Sequence, residues 1–435
     1  MTHIPLARFL WLGLFLLLSA CSPASDNRPA SGSSEQTQDS PDRFEAPALE
    51  RKLHLTNLGA LQSHQNGQRG QGVKIAVLDS GFRDYRQFLG KALPAKVKVR
   101  SFRNDRNLEA RDSQHGILCG EVLHALAPDA ELLFVNWEPD SPQAFIDAVR
   151  WAKAEGAKVM SCSLIMPSWS DGEGGGEVHR GLAPILRDVL FFASAGNTAQ
   201  RHWCGMFTPN DAGWHQWQDE SAENTLTPWG KERVAVEFYG PTHSSFEVSI
   251  WHRASGRLVG RSLLQTDATK KAGRAVVRFE PTAGAAYQVK VRCVDSPIPK
   301  REAFHLVVLG GSLEHATSRG SIPFPGDGAQ VTAVGAVDGK NERLYYSSCG
   351  PNSRLPKPDF VATVPFPSLC RERPFAGTSA AAPQAAGLAA LLWSSHADWS
   401  AAQVTQALRE AAVDLGPPGH DWETGYGLIR LPKEK

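Results

Sequence analysis

The sequence is poor in the features that commit a chain to nucleic acid, to a membrane span or to a bound metal. Its formal net charge at pH 7 is +1 over 435 residues, and no basic block stands out, which argues against nucleic acid as a partner. Neither HExxH nor CxxC spacing occurs, and no cluster with the pattern of a calcium site stands out, so no cofactor is expected, with calcium left open. No internal repeat is visible. The longest apolar run, FLWLGLFLLL at 9–18, is too short to cross a bilayer comfortably.

What remains is a globular composition with an export address. Hydrophobic residues make up 42% and charged residues 21%, enough for a large core. Arg8 and the apolar run form a targeting segment over 1–20, ending in LSAC at 18–21, which resembles a bacterial lipobox with Cys21 as the acylated first residue. Ser22 in place of Asp favours, by the same resemblance, the outer membrane, at its periplasmic or its surface face. Residues 21–47 are rich in Ser, Pro and Asp and read as a lipid-anchored flexible tether. About 25 such residues reach roughly 25–30 Å, which holds a folded body clear of the headgroups. The cysteine count fits an exported protein: Cys119, Cys162, Cys204, Cys293, Cys349 and Cys370 remain after Cys21. Six cysteines allow fifteen pairings, of which Cys349 with Cys370 and Cys204 with Cys293 are expected, in regions that read as loop-rich or all-β.

Two textures alternate along the chain. Over 72–200, the apolar runs VKIAVL, ELLFVNW, KVMSCSL and VLFFASAGN alternate with the helical patterns HGILCGEVLHALA and AFIDAVRWAKAEG. This predicts an α/β fold, a mostly parallel sheet with helices on both faces. The pattern returns at QVTAVGAVD, 330–338. Between them RVAVEFYG, FEVSIWHRASG, RAVVRFEP, AYQVKVRCV and AFHLVVLGG alternate apolar and polar residues between turns, which predicts an antiparallel β-sandwich. The domain reading is a first α/β part at 48–201, an inserted β-domain at 202–316 and a second α/β part at 317–435. Trp203, Trp214, Trp217, Trp229 and Trp251 fall in the insert, where sandwich core is the expected use of most of them and a sugar-binding face the alternative.

Four short stretches carry candidate chemistry. Asp79 ends the strand VKIAVL before Ser80-Gly81, at the carboxyl edge where α/β sheets build sites, although an Asp there also serves as a turn cap. His115 opens a helix whose one face carries His115, Cys119, Val122 and Leu126. A lone His in such a place is more often structural, yet none of the other histidines has comparable context. Asn197 closes FFASAGN, as a turn residue or as an amide aimed at developing negative charge. Ser379 lies in RPFAGTSAAAPQAAGLAALLW, 373–393, at a helix start whose free N–H groups can bind an oxyanion; Pro383 is expected in the first turn.

The contexts DSG, HGxxxG, SAGN and GTSAAAP, in that order, together with APDAEL, GAVDG, KPDF and GYGLIRL, resemble the subtilisin-like serine proteases (subtilases) over about 72–200 and 318–430. The resemblance implies a subtilisin-like fold and a serine endopeptidase. In it Asp79, His115 and Ser379 are catalytic, Asn197 completes an oxyanion hole, and Ser163, Leu164, Ser194, Ala195 and Gly196 contact a peptide or protein substrate. Departures are visible: Ile165 stands where the family strand has Gly, Ile117 where it has Thr, and Ala380 where it has Met. Cys119 resembles the free thiol beneath the catalytic His of one subtilase branch; a plain buried Cys is the alternative. Too few residues precede the α/β pattern, after the tether, for a separate folding-assistant domain. Two rival readings are a catalytically silent scaffold lipoprotein and a sedolisin-type acid peptidase, the latter opposed by His115 and Asn197. The ligand of the insert is unassigned.

Overall fold

The continuous apolar runs line up as one parallel sheet in a computed structural model that describes residues 42–435, apart from 242, 265–272, 299–301, 353–354 and 434–435. Its strands are β1 (Lys74–Leu78), β2 (Lys98–Phe102), β3 (Glu131–Trp137), β4 (Val159–Cys162), β5 (Leu190–Ser194), β15 (Val331–Val337) and β16 (Phe360–Thr363), in the order β16-β15-β5-β4-β1-β3-β2. Adjacent residues of β1 serve opposite faces: Ile75 and Val77 join one core cluster, Ala76 and Leu78 the other. Burial on both faces explains why these strands read as unbroken apolar runs. Strand β2, with Lys98, Val99 and Arg100 exposed at the sheet edge, lacks such a run, and it and the short β16 are not read from the sequence.

Helices cover the two faces. Those on the first are α1 (Asp42–Asn57), α2 (Ala60–Gln65), α3 (His115–Leu126), α6 (Thr378–Ser395) and α7 (Ala401–Ala411); on the second lie α4 (Pro142–Ala154) and α5 (Glu177–Leu182). Every residue of α6 from Ala380 to Trp393 is buried, as its all-round apolar surface requires. Ser141 caps α4 by accepting from Ala144 N–H, and Ser400 with Gln403 forms a capping box on α7. The tether expected to reach residue 47 gives way to helix at Asp42. That helix is tied down, since Arg51 pairs with the buried Glu121 of α3 and His54 Nε2 meets Gln384 Oε1 of α6 at 2.7 Å. Cys21, the targeting segment and the rest of the tether lie outside the described residues.

Between β5 and β15 the described residues form nine antiparallel strands. These are β6 (His202–Met206), β7 (Asn224–Pro228), β8 (Val234–Gly240), β9 (Phe246–His252), β10 (Arg257–Leu264), β11 (Gly273–Phe279), β12 (Tyr287–Cys293), β13 (Ala303–Leu309) and β14 (Gly311–Leu313). They form a five-stranded sheet, β10-β9-β12-β7-β14, and a four-stranded sheet, β11-β8-β13-β6. Val248, Ile250, Val289 and Val291 of the first sheet share one apolar core with Val236, Phe238, Phe304 and Leu306 of the second. The fold class is therefore as the sequence predicts.

Three expectations are corrected. Of the five tryptophans only Trp217 is buried; Trp203 packs partly on the core, Trp214 and Trp251 are half-buried beneath Arg292 and Lys290, and Trp229 is 54% exposed under Arg201. Neither expected disulfide forms, and Cys119, Cys162, Cys204, Cys293, Cys349 and Cys370 are all free thiols. Cys204 sits on β6 and Cys293 ends β12, strands of different sheets. Cys349 Sγ contacts Ser318 O at 3.1 Å, whereas Cys370 packs on the α6 side of the parallel sheet. Finally, Pro383 is the sixth residue of α6 and not in its first turn.

Candidate active site

The carboxyl edge of three neighbouring strands and the starts of two helices meet at one rim. Asp79 leaves β1 fully buried, and its Oδ1 accepts the N–H groups of Ser80 and Gly81 at 2.8 and 2.9 Å. Its other oxygen, Oδ2, receives His115 Nδ1 at 2.7 Å. The carboxylate can only accept, so this contact fixes the proton of His115 on Nδ1 and leaves Nε2 as the basic nitrogen. The Phe375 ring stands edge-on to the imidazole at 5.6 Å. Burial alone lowers the proton affinity of His115, and the charge of Arg371 works the same way. The Asp79 charge and hydrogen bond outweigh both and raise its pKa above the usual 6.5.

Ser379 is the second residue of α6 and is half-buried among fully buried neighbours. The turn before it needs Gly377, whose φ is +83° and where a Cβ would stand 2.9 Å from Asn197 Nδ2. Asn197 Oδ1 accepts the Thr378 N–H at 3.1 Å and the Thr378 hydroxyl at 2.9 Å, so it caps the helix and leaves its NH2 for another partner. Thr378 Oγ1 in turn accepts Gly196 N–H at 3.2 Å, joining the end of β5 to the start of α6.

The position of Pro383 has a consequence for the site. With no N–H, it cannot bond the carbonyl of Ser379 four residues earlier. That carbonyl instead accepts the Ser163 hydroxyl at 3.0 Å, with Cys119 Sγ at 3.9 Å. The Ser379 hydroxyl donates to Ser163 O at 3.3 Å rather than to His115 Nε2. A hydrogen bond between a nucleophile and its base is often long or poorly aligned in a resting structure and tightens only in the substrate complex. Cys119 Sγ lies 4.0 Å from Asp79 Oδ2, and burial first, then the Asp79 charge, push its pKa well above the ordinary thiol value. It is a neutral thiol and no nucleophile.

Asp79, His115, Ser163, Gly196, Asn197 and Ser379 thus share one rim. Leu164 is half-buried and packs with the α4-side core. Ser194 and Ala195 are buried, and Ala195 N–H is used on Val334 O. Sequence reading misses Thr378 as the joint between Asn197 and Gly196, although the Thr in GTSA was its visible signal.

The Subtilase family model matches residues 70–227 and 305–427, more than half of the chain. The chain belongs to the subtilase family. Among curated subtilases, subtilisin DY of Bacillus licheniformis is 33% identical over 126 residues, 29% of this chain and 44% of that protein. Subtilisin E of Bacillus subtilis strain 168 is 34% identical over 121 residues, 28% of this chain and 31% of that protein. The matched stretches therefore span less than half of these relatives. Among solved structures, the CspB protease of Clostridium perfringens superposes with a TM-score of 0.60 at 14% identity, covering 86% of this chain and 96% of that one. That likeness shows a subtilase fold.

Proposed function

We propose that this subtilase is a serine endopeptidase. The Ser379 oxygen attacks the scissile carbonyl carbon while its proton passes to His115 Nε2. Asp79 holds the imidazole in the required tautomer and offsets its positive charge. The Ser379 N–H and the Asn197 amide donate to the oxyanion, and His115 then returns the proton to the leaving amine as the C–N bond breaks. Water hydrolyses the acyl-enzyme with His115 as base again. The observation that supports this most is the 2.7 Å contact between His115 Nδ1 and a buried carboxylate whose other oxygen is already held by two N–H groups. Labelling with a fluorophosphonate tests it. Covalent modification of wild type but not of Ser379→Ala is expected, and an unlabelled wild type would favour the silent scaffold.

Ile165 favours a substrate path narrower than that of a subtilase with Gly there, so a peptide library should be cut at few positions, and at more by Ile165→Gly. We also read 202–316 as a β-domain inserted between 48–201 and 317–435. In support, β5 and β15 pair directly in the parallel sheet although all nine antiparallel strands separate them in sequence. No described helix is long and apolar enough to cross a membrane. The LSAC motif and the tether support an acyl anchor on Cys21, and Cys21→Ser should move the protein from the envelope fraction to the soluble one.

A further inference from the structure

One stretch of the outer face of the four-stranded antiparallel sheet carries polar side chains, of which His202, His305 and Tyr239 are buried and Cys204 is partly exposed. Trp203, Phe304, Leu306 and Phe238 point into the sandwich core. The alternate residues His202, Cys204, His305 and Tyr239 face the other way. Cys204 lies directly opposite His305 across the β6–β13 pair, His202 is two residues along the same strand as Cys204, and Tyr239 of β8 lies opposite His305 on its other side with its ring stacked 5.2 Å away. The loop DGEGGG (171–176) closes over this row so tightly that a Cβ on Gly172 would lie 2.7 Å from the His305 ring.

The hydrogen-bond inventory of this cluster leaves a deficit of positive charge. His202 Nδ1 contacts Thr317 O at 3.1 Å, and a carbonyl only accepts, so that nitrogen carries the hydrogen. His305 Nε2 contacts Glu173 Oε1 at 3.0 Å, and a carboxylate again calls for N–H there. The two remaining nitrogens, His202 Nε2 and His305 Nδ1, face each other at 3.0 Å with a lone pair each. Something positive must sit between them, either one extra proton or a metal ion. The thiol of Cys204 completes the set, since one donor atom from each of His202, Cys204 and His305 lies within 4.8 Å of the other two.

We propose that His202 Nε2, His305 Nδ1 and Cys204 Sγ bind a borderline divalent transition-metal ion, zinc in the first place. Imidazole with thiolate is the ligand class such ions select. Thr317 O and Glu173 are the outer acceptors that orient metal-bound histidines, one for each ring. Half-exposed Cys204 leaves a fourth position open to water. Binding expels the Cys204 thiol proton, now held toward Arg319 O at 3.1 Å, and any proton held between the two rings. The bound ion would lock the antiparallel sheet to the 171–176 loop that follows the substrate strand, and to the 317–319 segment leading back to the α/β part.

The test uses the full chain in detergent, reduced and stripped with a chelator, then titrated anaerobically with Co2+ and Zn2+. One equivalent of Co2+ is expected to give a sulfur-to-cobalt charge-transfer band with tetrahedral visible absorption, erased by one equivalent of Zn2+. Zn2+ should also raise the Tm of wild type. Cys204→Ser should lose the charge-transfer band and His305→Gln most of the affinity, while Cys349→Ser keeps both. Glu173→Gln should weaken binding by about 10–100-fold. Comparable melting of the metal-free variants and wild type guards against misfolding. No stoichiometric band, or one that persists in Cys204→Ser, would overturn the proposal in favour of an imidazolium paired with Glu173. Stoichiometric binding of Cu2+ with no Zn2+ binding would overturn the zinc assignment.

Discussion

Two histidine clusters in this chain use nearly the same side-chain types and come out poised for different tasks. At the parallel rim Asp79, His115 and Cys119 gather, and on the antiparallel face His202, Cys204 and His305 do. In the first, a carboxylate faces the imidazole, and its charge raises the proton affinity of His115 despite burial. In the second, an imidazole faces an imidazole. Burial first, and then His305, drive the His202 pKa down to about 3. The lone pairs of Asp79 are already taken by two N–H groups and one ring N–H, whereas the His202–His305 pair keeps two lone pairs unspent. What faces the second nitrogen decides whether a buried histidine becomes a proton carrier or a ligand.

The comparison can be broken first at Ser379, the proposed nucleophile. Ser379→Ala should lower kcat by about 10⁶-fold with the fold intact, checked by peptide hydrolysis and circular dichroism. Asp79→Asn should cost about 10⁴-fold, because an amide can present the wrong tautomer to His115. The pH profile sharpens the same point. His115 must be neutral to act as base, so kcat/KM should rise with pH through a midpoint above 6.5, the ordinary value that Asp79 displaces upward. A midpoint below 6.5 would mean that burial has won. In Asp79→Asn the residual activity should show a lower midpoint.

Asn197→Ala should cost about 10²–10³ in kcat, or about 2.7–4 kcal/mol, with KM nearly unchanged. An equal loss in KM would assign Asn197 to capping Thr378 alone. The smallest effect is expected at Cys119→Ser. Its neutral, buried thiol should resist alkylation in the folded protein, and the substitution should change kcat less than tenfold, measured alongside iodoacetamide labelling.

Much of this site is legible in the one-dimensional chain because its parts are local. DSG, HGxxxG, SAGN and GTSAAAP each encode a strand end or a helix start. The small residues of α6 announce a helix buried on all sides. Five of the strands of the antiparallel region, β8, β9, β11, β12 and β13, show their alternation. Other features are silent because they depend on distant partners. Strand β2 carries no apolar run, being an exposed edge. Nothing in GTSAAAP reveals that Pro383 frees the Ser379 carbonyl for Ser163, more than two hundred residues earlier. The expected cysteine pairings fail for the same reason, since spacing along the chain does not report which sheet a strand joins.

By itself the sequence determined the alternation of strand and helix, the order of the candidate catalytic residues and the polarity of each strand face. These follow from side-chain periodicity and backbone preference, which act over a few residues. Only the tertiary structure decided that His202 and His305 would meet nitrogen to nitrogen, and that Cys119 would be neutral beneath His115. Proton affinity and ligand geometry are set by burial and by charges within a few ångströms, and those neighbours arrive from strands far apart in the chain.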